Sequence, residues 1–184
     1  MRSFIAINLP AQVQSDIGAI IARLRPAGPP AKWVPAENLH LTLKFLDEIR
    51  EDQIDPILKA MASGCEGGSP FEIALRGFGV FPNARKARVF WIGIDSGYET
   101  LKALAQSIDT QIATLGFPRE DRPFSAHITL ARLREPAPAE HLMHDAVSVD
   151  YHSASIPVAQ VDLMRSVLSS QGALYSVIAS VPLK

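Results

Sequence analysis

Two short segments hold the residues best suited to chemistry. They are His40-Leu41-Thr42-Leu43 and His127-Ile128-Thr129-Leu130, near-identical tetrapeptides 87 residues apart. Each lies in an alternating apolar run that reads as a strand. Side chains at i and i+2 leave the same face of a strand, about 6.5–7 Å apart, so each histidine shares a surface with its threonine while Leu or Ile packs behind. If the two strands lie close in one sheet, two imidazoles and two hydroxyls line one cleft. That quartet suits in-line displacement at phosphorus, where one proton leaves the nucleophile and another reaches the departing oxygen. Imidazole titrates near ~6.5, so one neutral and one cationic ring serve both needs at neutral pH. The threonine hydroxyls can donate to the non-bridging oxygens, where charge builds in the transition state. A strained cyclic phosphate contains its own leaving group, so a metal is not required. Spacing alone does not say which histidine is the acid.

A single His-x-Thr on a strand means little, because threonine favours strands and half-exposed histidines are common. Two copies, symmetrically placed in one chain, point to function. A zinc site is the sharper alternative, but neither copy has a second His, Cys or carboxylate at ligand spacing, and threonine is a poor ligand. Arg132 is a candidate phosphate contact, although on an ideal strand it faces away from His127 and Thr129. Lys44 shares parity with His40 and Thr42; it either raises the local potential or is solvated at the strand end. His141, His144 and Asp145 could hold a metal on a helix, and the surface reading is preferred. His152 has no partner visible in sequence. Arg85, Lys86 and Arg88 read as a solvated hairpin tip before an RNA-tracking edge. Trp33 and Phe81 are either core or stacking surfaces for a base.

The elements that must position these groups follow from periodicity. Residues 2–9 read as a strand closed by Pro10. Val13, Ile17, Ile20, Ile21 and Leu24 mark a helix ended by Pro26. A strand over 39–46 precedes a helix marked by Ile54, Ile57, Leu58 and Met61, which stops at Gly64. Strands at 71–80 and 88–94 flank the turn at 82–85. Leu101 to Leu115 form a third helix capped by Gly116. A strand runs through 127–131, a short helix covers 139–146, and strands at about 156–168 and 173–182 finish the chain. The pattern indicates an α+β or mixed α/β single domain over 1–184, built from two related β-α-β-β halves.

Of the 184 residues, 47% are hydrophobic and 20% charged, a globular balance, and the net charge is −1. No global positive field draws the chain to nucleic acid, so any RNA is held locally, as a chain end or short single strand. The lone Cys65 excludes an intrachain disulfide, fits a reducing cytosol, and is not favoured as a nucleophile. The N-terminal apolar stretch is too short for a signal peptide and no run approaches a membrane span, so a cytoplasmic location is expected.

Beyond the paired motifs, the chain resembles the two-histidine phosphoesterases, within them the bacterial and archaeal RNA 2′,3′-cyclic phosphodiesterases once described as 2′-5′ RNA ligases. The resemblance runs through Arg2-Ser3-Phe4-Ile5-Ala6-Ile7, Trp33-Val34, Asn38 to Leu46, Gly77 to Pro82, Arg88 to Trp91, Phe124, His127 to Arg132 and Tyr175. Two departures stand out: Asp47 occupies the glycine position of a Phe-Leu-Gly, and Ala126 replaces a proline before the second histidine. Both bear on loop shape beside the site. The resemblance implies a bilobal pseudo-symmetric α+β fold, with two antiparallel-sheet lobes, helices outside and a central cleft. It implies His40 as proton donor and His127 as proton acceptor, with Thr42 and Thr129 beside them. It implies hydrolysis of RNA 2′,3′-cyclic ends, or of small nucleotides carrying that group, to 2′-phosphomonoesters without cofactor or metal. Ligation to a 2′-5′ bond, opening of a cyclic nucleotide or an ADP-ribose cyclic phosphate, and a non-catalytic RNA-end binding module are the alternatives. No obligate protein partner is evident.

Overall fold

The computed structural model describes residues 1–169 and 172–184. The first strand, β1 (Arg2–Asn8), buries Ser3 through Ile7 without interruption. A strand covered on both faces reads as a continuous apolar run rather than an alternation. Ile5 and Ile7 enter the main core, while Phe4 and Ala6 join Met164 in a small second cluster. Helix α1 (Ala11–Leu24) buries Val13, Ile17, Ile21 and Leu24, four of the five residues on the predicted stripe. A short β2 (Ala31–Trp33), which periodicity does not foretell, leads to β3 (His40–Glu48) and then α2 (Ile54–Cys65).

The second half follows with β4 (Phe71–Phe81), β5 (Ala87–Ser96), α3 (Tyr98–Ala113), β6 (His127–Ala137) and α4 (Glu140–Val147). The single strand expected near 156–168 is two, β7 (Ile156–Val158) and β8 (Gln160–Ser169), and β9 (Gly172–Pro182) closes the chain. Ala159 separates β7 from β8, and they pair with different lobes: β7 with β4, β8 with β1 and β9.

All strands join one antiparallel path, β7-β4-β5-β6-β3-β1-β8-β9, with β2 on the side of β6. The middle of that path is thin: β3 and β6 share the pair Leu41–Ile128, and their remaining lengths diverge to bound a cleft. The lobes are not the sequence halves. After α2 the chain crosses to lay β4 on β5, and after α4 it crosses back to lay β8 on β1. Each half thus donates strands to the other's lobe, β2 and β4 one way and β8 and β9 the other. Outside the sheet, α2 packs on α3 and β9, and α1 packs on α4.

Asp47 explains one departure from the family pattern. Its φ is +55°, the left-handed region where a Cβ is unfavourable and glycine is not. Asp47→Gly is therefore expected to raise unfolding free energy by about 0.5–1 kcal/mol. A urea midpoint equal to or below that of the parent would show the conformation to be unstrained.

Candidate active site

The register places the quartet. On either side of Leu41–Ile128, His40 faces Thr129 and Thr42 faces His127 across the β3–β6 seam. The neighbouring ladders extend the row outward, with Asn8 beside His40 and Ala6 beside Thr42 on β1, and Trp91 beside Thr129 and Gly93 beside His127 on β5. Leu41 and Ile128 are fully buried, whereas the two histidines and two threonines are half-buried and line one cleft of about 1970 Å³.

The histidines are held alike. His40 Nδ1 lies 2.7 Å from the Asn38 carbonyl oxygen, and His127 Nδ1 lies 2.7 Å from that of Ser125. A carbonyl only accepts, so each Nδ1 carries its proton and Nε2 is the nitrogen free to exchange one. Burial, foremost, lowers both imidazoles below their ordinary range. The carbonyl bonds oppose that shift, and the nearby Arg132 guanidinium adds to it. Rings pack the imidazoles in place: Phe4 and Tyr175 lie 4.8 and 5.2 Å from His40, and Phe81 lies 5.1 Å from His127. Trp91, 6.2 Å from His127, lies across Gly79, where the indole leaves no room for a Cβ.

Arg132 shares the cleft, contrary to ideal-strand parity. Along β6 the partners on β5 skip Leu130, with Trp91 opposite Thr129 and Phe90 opposite Ala131. The extra residue is a β-bulge, and it turns the side chains that follow, Arg132 among them, to the other face. The same bulge occurs on β3, where Ala6 faces Thr42 and Ile5 faces Lys44. The two strands consequently repeat one burial pattern over their first nine residues. By this correspondence Phe45 is the counterpart of Arg132. It lines the cleft with 54% of its surface exposed, although strict alternation from Leu41 and Leu43 would point it to the core face.

Lys44 is neither solvated nor a free charge. It is 3% exposed and pairs with Asp109 of α3 at 2.5 Å, also donating to the Pro118 carbonyl at 2.8 Å. Burial pushes the Asp109 carboxyl up, but the bond and charge of Lys44 prevail and hold it below its ordinary value. Arg88 and Phe81 line the cleft, whereas Trp33 packs edge-on against Phe90 in the core. Arg85 and Lys86 sit on an exposed turn whose amides Asn83 caps. His152 pairs with Asp95 at 3.2 Å. His141 and His144 are exposed on α4, and no group of metal-ligating side chains occurs among the described residues. Cys65 ends α2, one residue past the expected stop at Gly64; it is buried, and burial raises its thiol pKa. Among the described residues, no helix is long and apolar enough to cross a membrane.

Known proteins resemble this chain in sequence and in fold. A model of the family described as LigT-like phosphoesterase matches residues 7–91 and again 92–175. The RNA 2′,3′-cyclic phosphodiesterase of Methanothermobacter thermautotrophicus is 34% identical, over 96% of this chain and 95% of that one. Its namesake from Thermotoga maritima is 32% identical over 97% and 93%. Among solved structures, TT0787 of Thermus thermophilus superposes with a TM-score of 0.80 at 31% identity, covering 100% of this chain and 98% of that one. LigT of E. coli complexed with 3′-AMP gives 0.72 at 28%, covering 99% and 97%. With the family model matching each half in turn, and relatives about one-third identical along almost the whole length, this chain belongs to the LigT-like phosphoesterase family.

Proposed function

We propose that this chain hydrolyses RNA 2′,3′-cyclic phosphodiester ends to 2′-phosphomonoesters, using His127 as base and His40 as acid. One observation carries the reading: two Nδ1-anchored histidines and two threonines flank a single cross-strand pair at the floor of the cleft. His127 Nε2 takes a proton from water as its oxygen bonds to phosphorus. The P–O3′ bond breaks, and protonated His40 delivers its Nε2 proton to the departing 3′ oxygen. The Thr42 and Thr129 hydroxyls donate to the non-bridging oxygens, and Arg132 offsets their charge.

The exchange of Phe45 for Arg132 between the two strands supports this polarity. An exposed ring gives a nucleobase a stacking surface, and a guanidinium gives the phosphate a counter-charge. The leaving oxygen belongs to the nucleoside, so on this reading His40, the histidine on the Phe45 strand, protonates it. The two lobes exchange strands, which favours one domain over 1–184, and the lone Cys65 fits action in a reducing cytoplasm on RNA ends or small cyclic nucleotides. Ligation to a 2′-5′ bond is the same step reversed in the same cleft, with a 5′-hydroxyl in place of water.

The test is opening of 2′,3′-cyclic mononucleotides with EDTA present, across pH. Turnover is expected to persist, since the site offers protons and hydrogen bonds rather than a ligand set. Because both imidazoles sit below their ordinary value, the base is already neutral, and the acid already deprotonating, at lower pH than free imidazole. The kcat/KM bell, whose limbs belong to the pair, should therefore lie on the acid side of ~6.5. The bound phosphate's negative charge opposes that of Arg132, so the kcat bell should lie at higher pH. Activity abolished by chelation and restored by zinc or manganese would overturn the metal-free reading; a flat profile from pH 5 to 9 would count against paired imidazoles.

A further inference from the structure

The two histidines have matching carbonyl anchors, but these anchors are supported differently. Asn38, which holds His40, ends a 3-10 turn built by backbone bonds from Asn38 N to Pro35 O and Leu39 N to Ala36 O. The chain before it is tied to β6 by Val34 N to Leu130 O at 2.9 Å. Ser125, which holds His127, lies in the irregular segment 117–126 between α3 and β6. Among the described residues, that segment makes no backbone–backbone hydrogen bond outside the sheet ladders.

Side chains hold it instead. At its start the buried Lys44 ammonium, reaching across from β3, donates to Pro118 O while pairing with Asp109. Asp109 in turn accepts from Glu120 N at 3.4 Å and pairs with Arg119, whose guanidinium also donates to Thr110 Oγ1 at 2.9 Å. Near its end the Tyr98 hydroxyl donates to Phe124 O at 2.9 Å, one residue before Ser125. Phe117 and Phe124 are half-buried against the core. The segment is a strap pinned at two points, and the far pin is planted two residues beyond Thr42, on the strand that carries His40.

We propose that Lys44–Asp109 and Tyr98 are positioning residues for the base: by fixing the 117–126 strap they set the Ser125 carbonyl, and so hold the His127 ring with Nε2 toward the cleft. A bare backbone segment without ladder bonds samples many conformations, and the orienting bond of a catalytic histidine decides which nitrogen is available. His40, seated on a backbone-bonded turn, does not depend on these groups. The asymmetry rests on His127 acting as the base, and it supplies its own internal control.

The experiment is ¹⁵N NMR of the imidazoles in two variants of the full chain, read beside turnover of a 2′,3′-cyclic mononucleotide. Tyr98→Phe removes one hydroxyl and keeps the ring. Lys44→Met with Asp109→Leu removes the buried pair together, so no lone charge is left inside. In the parent protein both neutral rings should carry the proton on Nδ1. In both variants His127 should become a mixture of tautomers while His40 keeps its own. In the double replacement kcat should fall by about 10–100-fold, the scale of a small misplacement of a reacting group. A smaller fall is expected for Tyr98→Phe. An unchanged His127 tautomer in the variants, or equal disturbance of His40, would overturn the proposal and leave the pair a plain structural bridge. Should the double replacement fail to fold, Tyr98→Phe decides alone. A parent protein that opens no cyclic phosphate would defeat the reading of the cleft instead, and the tautomers would still report on the strap.

Discussion

Replacing His40 or His127 by alanine is expected to lower kcat by about 10²–10⁴-fold, the contribution of a positioned acid or base. In the proposed mechanism the two act on one phosphate in a single step, so the double replacement should lose little more than the worse single one. Thr42→Val and Thr129→Val keep the branched shape that suits a strand and remove only a hydroxyl. Each should cost about 1–3 kcal/mol of transition-state binding, as for a lost hydrogen bond to a charged oxygen. All four side chains line the cleft and none is fully buried, so the fold should survive every change. Steady-state kinetics and thermal melts on the same preparations separate the two effects. Near-normal turnover with a collapsed fold would show the histidines to be structural, and would leave a binding module for RNA ends.

Leu41→Ala should behave in the opposite way, costing about 2–5 kcal/mol of folding stability, the usual range for a buried Leu→Ala change. Its surroundings place it toward the upper part of that range. Leu41 is fully buried and lies in the row Ile7–Leu41–Ile128–Ile92, which runs unbroken across β1, β3, β6 and β5. It is also half of the cross-strand pair that joins the lobes. A cavity there cannot close without shifting the strand that bears His40. Urea unfolding should therefore show a large drop in midpoint, and kcat should fall even where the variant stays folded. Exposed apolar residues such as Leu174, at 62% exposure, provide the contrast and should change stability by no more than about 0.5 kcal/mol. A Leu41→Ala protein as stable as a Leu174→Ala one would mean that the lobes are joined elsewhere.

Much of this molecule is legible in local pattern. The alternation at 39–46 and 127–131 has period two, the stripe in α1 has period near 3.6, and each arises from geometry within one element. The pairing of His40 with Thr42, and of His127 with Thr129, on a common face is likewise a property of a strand alone. The duplicated tetrapeptide therefore groups its polar side chains on strand faces without reference to any partner. The membership of Leu41, Ile128, Val13, Ile17 and Ile57 in the core follows from the same periods.

What lay beyond that reach depends on partners. Parity after residue 130 is set by how β6 pairs with β5: the bulge opposite Phe90 and Trp91 brings Arg132 into the cleft, and its twin on β3 buries Lys44 and exposes Phe45. A bulge is a mismatch in length between two strands, and neither strand carries it in its own sequence. The pairing of β7 with β4 and of β8 with β1, the edge-on contact of Tyr175 with His40, and the reach of Lys44 to Asp109 join residues 65 or more positions apart. Such contacts are chosen by burial and charge compensation in the assembled chain, where Lys44, directly after the first tetrapeptide, is buried with Asp109 as its counter-charge. Residue types and their period determined which groups could react. The sheet's pairing decided which of them meet.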